Sequence, residues 1–269
     1  MIRDRLRLAR YDARCRWLRW RSQWRNWTRP PAAERYFLFV LCPTYGGSTL
    51  MQEILSTSPG VSPNNVWGTR EGLGLPQVRR HFDYRRLWEA DYQLPWPRIR
   101  REWEGYWQHD RPVLLEKSPS NLVHAPQMAP HFDPAYFVVM VRQPLAHCES
   151  LIRRDALSPT AAARFCLDSL RHQKRNLEQL PRCLLLPYEA LVDQTTASVR
   201  ALLDFLPPLQ HLRTDRRFRA HNYHRQNLPL TNLNAAKIAR LSADQREEIN
   251  RTLTTDLDIL SYFRYSLNP

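Results

Sequence analysis

The residues of this chain that could do chemistry stand at the ends of short apolar runs. Tyr36-Phe-Leu-Phe-Val-Leu41 leads straight into Cys42-Pro-Thr-Tyr-Gly-Gly-Ser-Thr49, where Thr44, Gly46, Gly47, Ser48, Thr49 and Leu50 make a glycine turn that opens a helix. Backbone N–H groups at such a helix start bind anions with help from the helix dipole, and the Ser48 and Thr49 hydroxyls add donors. A second run, Val113 to Glu116, ends at Lys117. A third, Tyr136 to Val141, ends at Arg142, with Ser150 further along the same helix, and Tyr188 follows a fourth, Cys183 to Leu186. Ligands of open parallel sheets sit beyond the carboxyl ends of the strands. Four such ends carrying anion donors predict a site for a ligand with several anionic groups.

A magnesium-dependent nucleotide triphosphatase does not fit these residues. Its loop requires Gly-Lys-Ser/Thr, whereas Gly47 runs directly into Ser48, and the strand that should end in a magnesium-binding Asp ends in Arg142. His221 and His224 have no third ligand near them and read as loop histidines, so no metal site is predicted.

Positioning the strand ends requires alternating strands and helices, and the pattern predicts an α/β fold: a central parallel sheet of about four or five strands with helices on both faces. Thr49 and Gln52 have capping-box spacing at the start of the first helix after the glycine turn, and Ser58-Pro-Gly60 closes that helix. Residues 61–110 read as a long insertion rich in Gly, Pro and aromatics, with helices around 77–90 and 97–108. Pro144 starts a helix, others span about 160–178, 189–206 and 242–254, and 207–233 is a loop.

Residues 1–28 read as one basic amphipathic helix, ended by Pro30-Pro31, in which Leu6, Ala13, Trp17, Trp20, Trp24 and Trp27 recur at three- and four-residue intervals. Two readings stand: a peripheral membrane helix lying on anionic lipid, or a helix that packs its Trp stripe on the domain.

In the 269 residues, 43% hydrophobic and 25% charged content excludes wholesale disorder, and no apolar run approaches the length of a membrane span. The N-terminus lacks the apolar segment of a secretory signal, and the five cysteines are scattered without a Cys-x-x-Cys pair, which together fit a reducing, cytoplasmic setting. The net charge of +14 calls for an anionic partner. Residues 1–35 hold 11 Arg against 3 acids, +8 of that total, and the remainder carries no nucleic-acid recognition motif. Nucleic acid is therefore not the expected partner.

Several segments resemble the PAPS-dependent sulfotransferases. PTYGGSTLMQEILSTSPGV is similar to their 5′-phosphosulfate loop, FVVMVRQPLAHCESLIRR to their 3′-phosphate motif, PYEALVDQTTASVRALLDFL to the Tyr-Glu-x-Leu segment after a later strand, and EKSPSNL to the Lys-x-Pro stretch of tyrosylprotein-type and bacterial members. The resemblance covers about residues 36–206, with a weaker echo in NLPLTNLNAAKIARLS. It implies a P-loop-like fold and the donor 3′-phosphoadenosine 5′-phosphosulfate (PAPS), with Gly47, Ser48, Thr49 and Leu50 at its 5′ end and Arg142 and Ser150 at its 3′-phosphate. It also implies in-line transfer to a hydroxyl or amine of a small-molecule, glycan or peptide acceptor. The organisation expected is the basic helix 1–30 followed by a catalytic domain 31–269, whose 67–110 and 207–233 segments flank the acceptor.

One departure is plain. Where the family carries a loop Lys or Arg for the leaving oxygen, this chain has Tyr45, or Thr44 under an alignment shifted by one. Lys117 is the expected substitute, and Glu71, in the glycine-flanked loop Gly68-Thr-Arg-Glu-Gly72, is the expected base, with Glu116 and His124 as competitors. Two rivals remain at this point: a catalytically silent nucleotide-binding protein of the same fold, and a basic nucleic-acid or polyanion-binding protein.

Overall fold

A computed structural model describes residues 2–219 and 227–267. Tyr36–Leu41 forms β1, and every residue after Tyr36 is buried, as expected of a strand covered on both faces. It pairs in parallel with β3 (Val113–Glu116) on one side and β4 (Ala135–Val139) on the other. With β2 (Val61–Pro63) and β5 (Cys183–Leu185) at the edges, the sheet is five-stranded and parallel in the order β2-β3-β1-β4-β5. The fifth strand lies in the stretch read as insertion, because three residues, Val-Ser-Pro, are too few to display a period.

Alternation along β1 divides the core. Phe37, Phe39 and Leu41 face a cluster with Trp103, Trp107 and Phe132, while Leu38 and Val40 face a second cluster with Met51, Ile54 and Leu202. The first face is covered by α1 (Ile2–Thr28), α4 (Trp96–Glu104) and α5 (Asn121–Met128), and the second by α2 (Ser48–Leu55), α8 (Tyr188–Asp193) and α9 (Thr195–Phe205). A third cluster joins α6 (Pro144–Asp155), α7 (Pro159–Gln179), α11 (Ala243–Leu253) and α12 (Leu257–Tyr262).

Two local expectations need correction. Thr49 and Gln52 do not form a capping box. The N-cap of α2 is Gly47, with φ 111° and no side-chain cap, and Gln52 Nε2 instead donates to the Asn65 carbonyl at 2.9 Å. The helices placed at 77–90 and 97–108 are shorter: α3 (Pro76–Arg79), a 3₁₀ turn at Tyr84–Arg86 started by the Asp83 carboxylate, and α4. Most large rings of the insertion belong to the core: Trp96, Trp103, Tyr106 and Trp107 are buried, while Trp88 is 39% exposed. Burying four large rings outweighs any gain from exposing them. His221 and His224 lie outside the described residues.

Candidate active site

The strand order converts a scattered sequence pattern into one row of side chains. Across the carboxyl edge stand the loop after β2 with Thr69 and Glu71, Lys117 after β3, the glycine turn after β1, Arg142 after β4 and Tyr188 after β5. All of these line one cavity of about 290 Å³. Thr44, Tyr45, Gly47, Ser48, Thr49 and Leu50 make its floor, and four cations, Lys117, Arg142, Arg154 and Lys237, stand on its walls. Among the described residues, Glu71 is the one carboxylate lining it.

The glycine turn is tightly constrained. Tyr45 has φ 65° and Gly47 φ 111°, and a Cβ on Gly47 would meet the Tyr188 ring at 2.8 Å. Glycine allows the chain to pass beneath that ring and enter α2, whose first residues, Ser48 and Thr49, line the cavity. Gly46 is set back from the cavity, where a Cβ would strike Cys42 Sγ at 2.8 Å. The Tyr45 hydroxyl donates to Asp155 at 2.6 Å, and the Arg154 guanidinium lies 5.1 Å from its ring centre, so the residue at the family's cation position brings a cation with it.

Lys117 is 2% exposed; its Nζ donates to the Thr69 carbonyl at 2.8 Å and lies 3.7 Å from Glu71 Oε1. Burial lowers its pKa, opposed by the nearby Glu71 and Glu116 carboxylates. Glu116 is wholly buried and structural. It accepts from the Gly72 N–H at 2.9 Å and the Ser118 hydroxyl at 2.5 Å, and burial pushes its pKa up to about 7. His124 is also buried, bonded at 2.9 Å to the Leu87 carbonyl and away from the cavity wall. Of the three residues weighed as base, only Glu71 reaches the cavity.

At the other end, the Arg142 guanidinium lies 4.0 Å from the centre of the Tyr188 ring. Its Nε donates to Asn234 Oδ1 at 2.9 Å and its Nη1 to the Tyr45 carbonyl at 3.0 Å. Ser150 is fully buried and does not touch the cavity directly. Its hydroxyl donates to the Ala146 carbonyl at 3.1 Å and accepts a hydrogen bond from Lys237 Nζ, which does reach the cavity. Burial, reinforced by repulsion from Arg142, lowers the Lys237 pKa to about 7. Lys237 lies on the short helix α10 (Asn234–Ile238). The sequence reading missed it, although the NLPLTNLNAAKIARLS echo contains it. Arg154, in the last turn of α6, was missed as well. The remaining wall is apolar: Phe218 and Leu228, from the two-stranded ribbon β6 (Phe218–Arg219) and β7 (Asn227–Leu228), followed by Pro229 and Leu230. Among the described residues of 207–233, Phe218, Leu228 to Thr231 and Leu233 border the cavity, and the 67–110 segment contributes Thr69 and Glu71.

A parallel sheet in which β1 runs through an uncapped glycine turn into α2, with no lysine following the glycines, has the P-loop-like architecture of sulfotransferases. Residues 38–207 match the sulfotransferase family, and the chain belongs to it. No curated protein sequence matches the chain. Among solved structures, the sulfotransferase domain from the Synechococcus PCC 7002 olefin synthase is 20% identical, covering 89% of this chain and 98% of that one with a TM-score of 0.53. The sulfotransferase domain from the curacin biosynthetic pathway is 16% identical over 88% and 100%, with a TM-score of 0.54. A sulfotransferase from Alicyclobacillus acidocaldarius is 15% identical over 87% and 98%, with a TM-score of 0.53. At these identities the likeness is one of fold.

Proposed function

We propose that this sulfotransferase takes its sulfuryl group from PAPS and delivers it to a hydroxyl or amine of an acceptor with an apolar flank. The observation that carries this reading is the convergence of Lys117, Arg142, Arg154 and Lys237, with the uncapped start of α2, on a single cavity. Such a cavity suits a ligand with anionic groups at both ends. Ser48, Thr49 and the first-turn N–H groups of α2 would hold the phosphosulfate end. Arg142 and Lys237, with Ser150 fixing the lysine, would hold the 3′-phosphate. The donor supplies an activated sulfuryl group.

The chain's own residues do the rest. Lys117 is buried at the central strand ends, and its ammonium would neutralise charge gathering on the leaving oxygen, in place of the missing loop cation. Glu71, on the same wall, would accept the acceptor's proton. Phe218, Leu228, Pro229 and Leu230 would exclude water and bind an apolar portion of the acceptor. A sulfate-transfer assay with labelled PAPS against phenols, fatty alcohols and glycans tests this. Transfer favouring the apolar acceptors is expected. Tight binding of adenosine 3′,5′-bisphosphate with no transfer to any acceptor would leave a silent binding protein.

A further inference from the structure

Helix α1 carries two apolar stripes, and the domain uses only one. Tyr11, Cys15, Leu18 and Ser22 share a face turned to the core: Cys15 and Leu18 are buried in it, and the Ser22 hydroxyl donates to the Tyr106 carbonyl at 2.8 Å. Ion pairs fix the helix along its length, Asp12 with Arg79 at 2.8 Å, Arg19 with Glu102 at 2.5 Å and Arg25 with Asp110 at 2.7 Å. At about 100° per residue, Leu6, Trp17, Trp20, Trp24 and Trp27 fall on the outer side. The four indoles are 50%, 62%, 56% and 84% exposed. The sequence expectation that this stripe packs on the domain is thus overturned by the helix's other face.

The chain buries Trp96, Trp103 and Trp107, so four indoles in a row on the surface form a patch of the kind that marks an interaction face. Exposed arginines border the stripe on both sides: Arg16 on one, Arg10, Arg14 and Arg21 on the other, with the Arg21 guanidinium 5.4 Å from the Trp17 ring centre. Among the described residues no helix is long and apolar enough to cross a membrane. We propose that α1 docks this protein flat on an anionic lipid surface, with Trp17, Trp20, Trp24 and Trp27 at the headgroup–acyl boundary and the flanking arginines on lipid phosphates. Indoles favour that boundary because one part of the ring is apolar and the N–H is polar. Charge selects the occupant: a second copy would bring two arginine-bordered faces together, whereas an anionic bilayer complements them. The inner contacts of α1 remain in place when the outer face docks.

Flotation of the full chain with phosphatidylcholine vesicles containing about one-third phosphatidylglycerol tests the proposal, with neutral phosphatidylcholine vesicles as the control. Binding to the anionic vesicles is expected, with a blue-shifted Trp emission, at least about tenfold weaker binding to neutral vesicles, and weakening by salt. A variant combining Trp17→Ser, Trp20→Ser, Trp24→Ser and Trp27→Ser should lose at least about tenfold in vesicle affinity with an unchanged melting temperature, because the four side chains are exposed. Arg10→Gln, Arg16→Gln and Arg21→Gln together should abolish the preference for anionic lipid. Absence of vesicle binding, or full binding by the tryptophan variant, would overturn the proposal. So would a dimer in sedimentation velocity that dissociates on tryptophan substitution without any lipid affinity, or duplex DNA binding tighter than vesicle binding.

Discussion

At one end of the cavity the anion donors are main-chain groups and hydroxyls of a single loop, Thr44 to Leu50, fixed by the central strand and by the φ of Gly47. At the other they are basic side chains brought from distant segments, with Arg142 bonded to Asn234 across 92 residues of sequence and Lys237 bonded to Ser150 across 87. On the far side of that loop from Arg142, Lys117 and Glu71 form a close pair at 3.7 Å. A backbone site is set by geometry and has no charge to lose, whereas a side-chain site is set by charge and responds to pH. The two ends should therefore fail differently when perturbed.

The largest effect is expected at the Lys117–Glu71 pair. Lys117→Ala should lower turnover by about 10²–10³-fold while bisphosphate affinity changes by less than about threefold. Equal losses in both would make Lys117 a binding residue only. Glu71→Gln should cost about 10²–10⁴-fold in turnover, and Glu116→Gln, away from the cavity, should change the melting temperature far more than the rate.

Arg142→Ala should weaken adenosine 3′,5′-bisphosphate by about 10–100-fold in calorimetry, as loss of charge-assisted hydrogen bonds predicts, and leave AMP affinity nearly unchanged. Gly47→Ala should weaken both nucleotides alike. It should also cost about 1–3 kcal/mol of stability, because the added methyl meets the Tyr188 ring and φ is 111°. A bisphosphate-selective loss from Gly47→Ala would dissolve the distinction between the two ends.

The smallest effect is a pH slope. Lys237, with its pKa lowered to about 7, is largely neutral above that pH in the folded apo-protein. The unfolded chain keeps that proton up to the ordinary lysine range, so this group makes stability rise with pH over the interval between them. A bound phosphate dianion favours the ammonium. Bisphosphate affinity should thus be highest near pH 7 and fall as pH rises, and Lys237→Met should flatten that slope without altering the AMP profile.

The first end was legible in the sequence because Cys42 to Leu50 is contiguous and follows an unmistakable buried strand. Arg142, Lys117 and Tyr188 could be read for the same reason: each follows an apolar run, and parallel sheets align such ends. Lys237 and Arg154 could not, since α10 is too short to show a period and Arg154 is one of 37 arginines. Whether the insertion's aromatics or those of α1 would be buried was likewise undetermined, because both are Trp- and Arg-rich. The decision came from Tyr11, Cys15 and Leu18, a quieter stripe that fits the core and turns the indoles outward.

A thermal-shift titration comparing adenosine 3′,5′-bisphosphate with AMP probes whether one nucleotide bridges both ends. Stabilisation by the bisphosphate at concentrations at least about tenfold lower than those needed for AMP is the expected result. Equal shifts for the two nucleotides, or none for either, would contradict it.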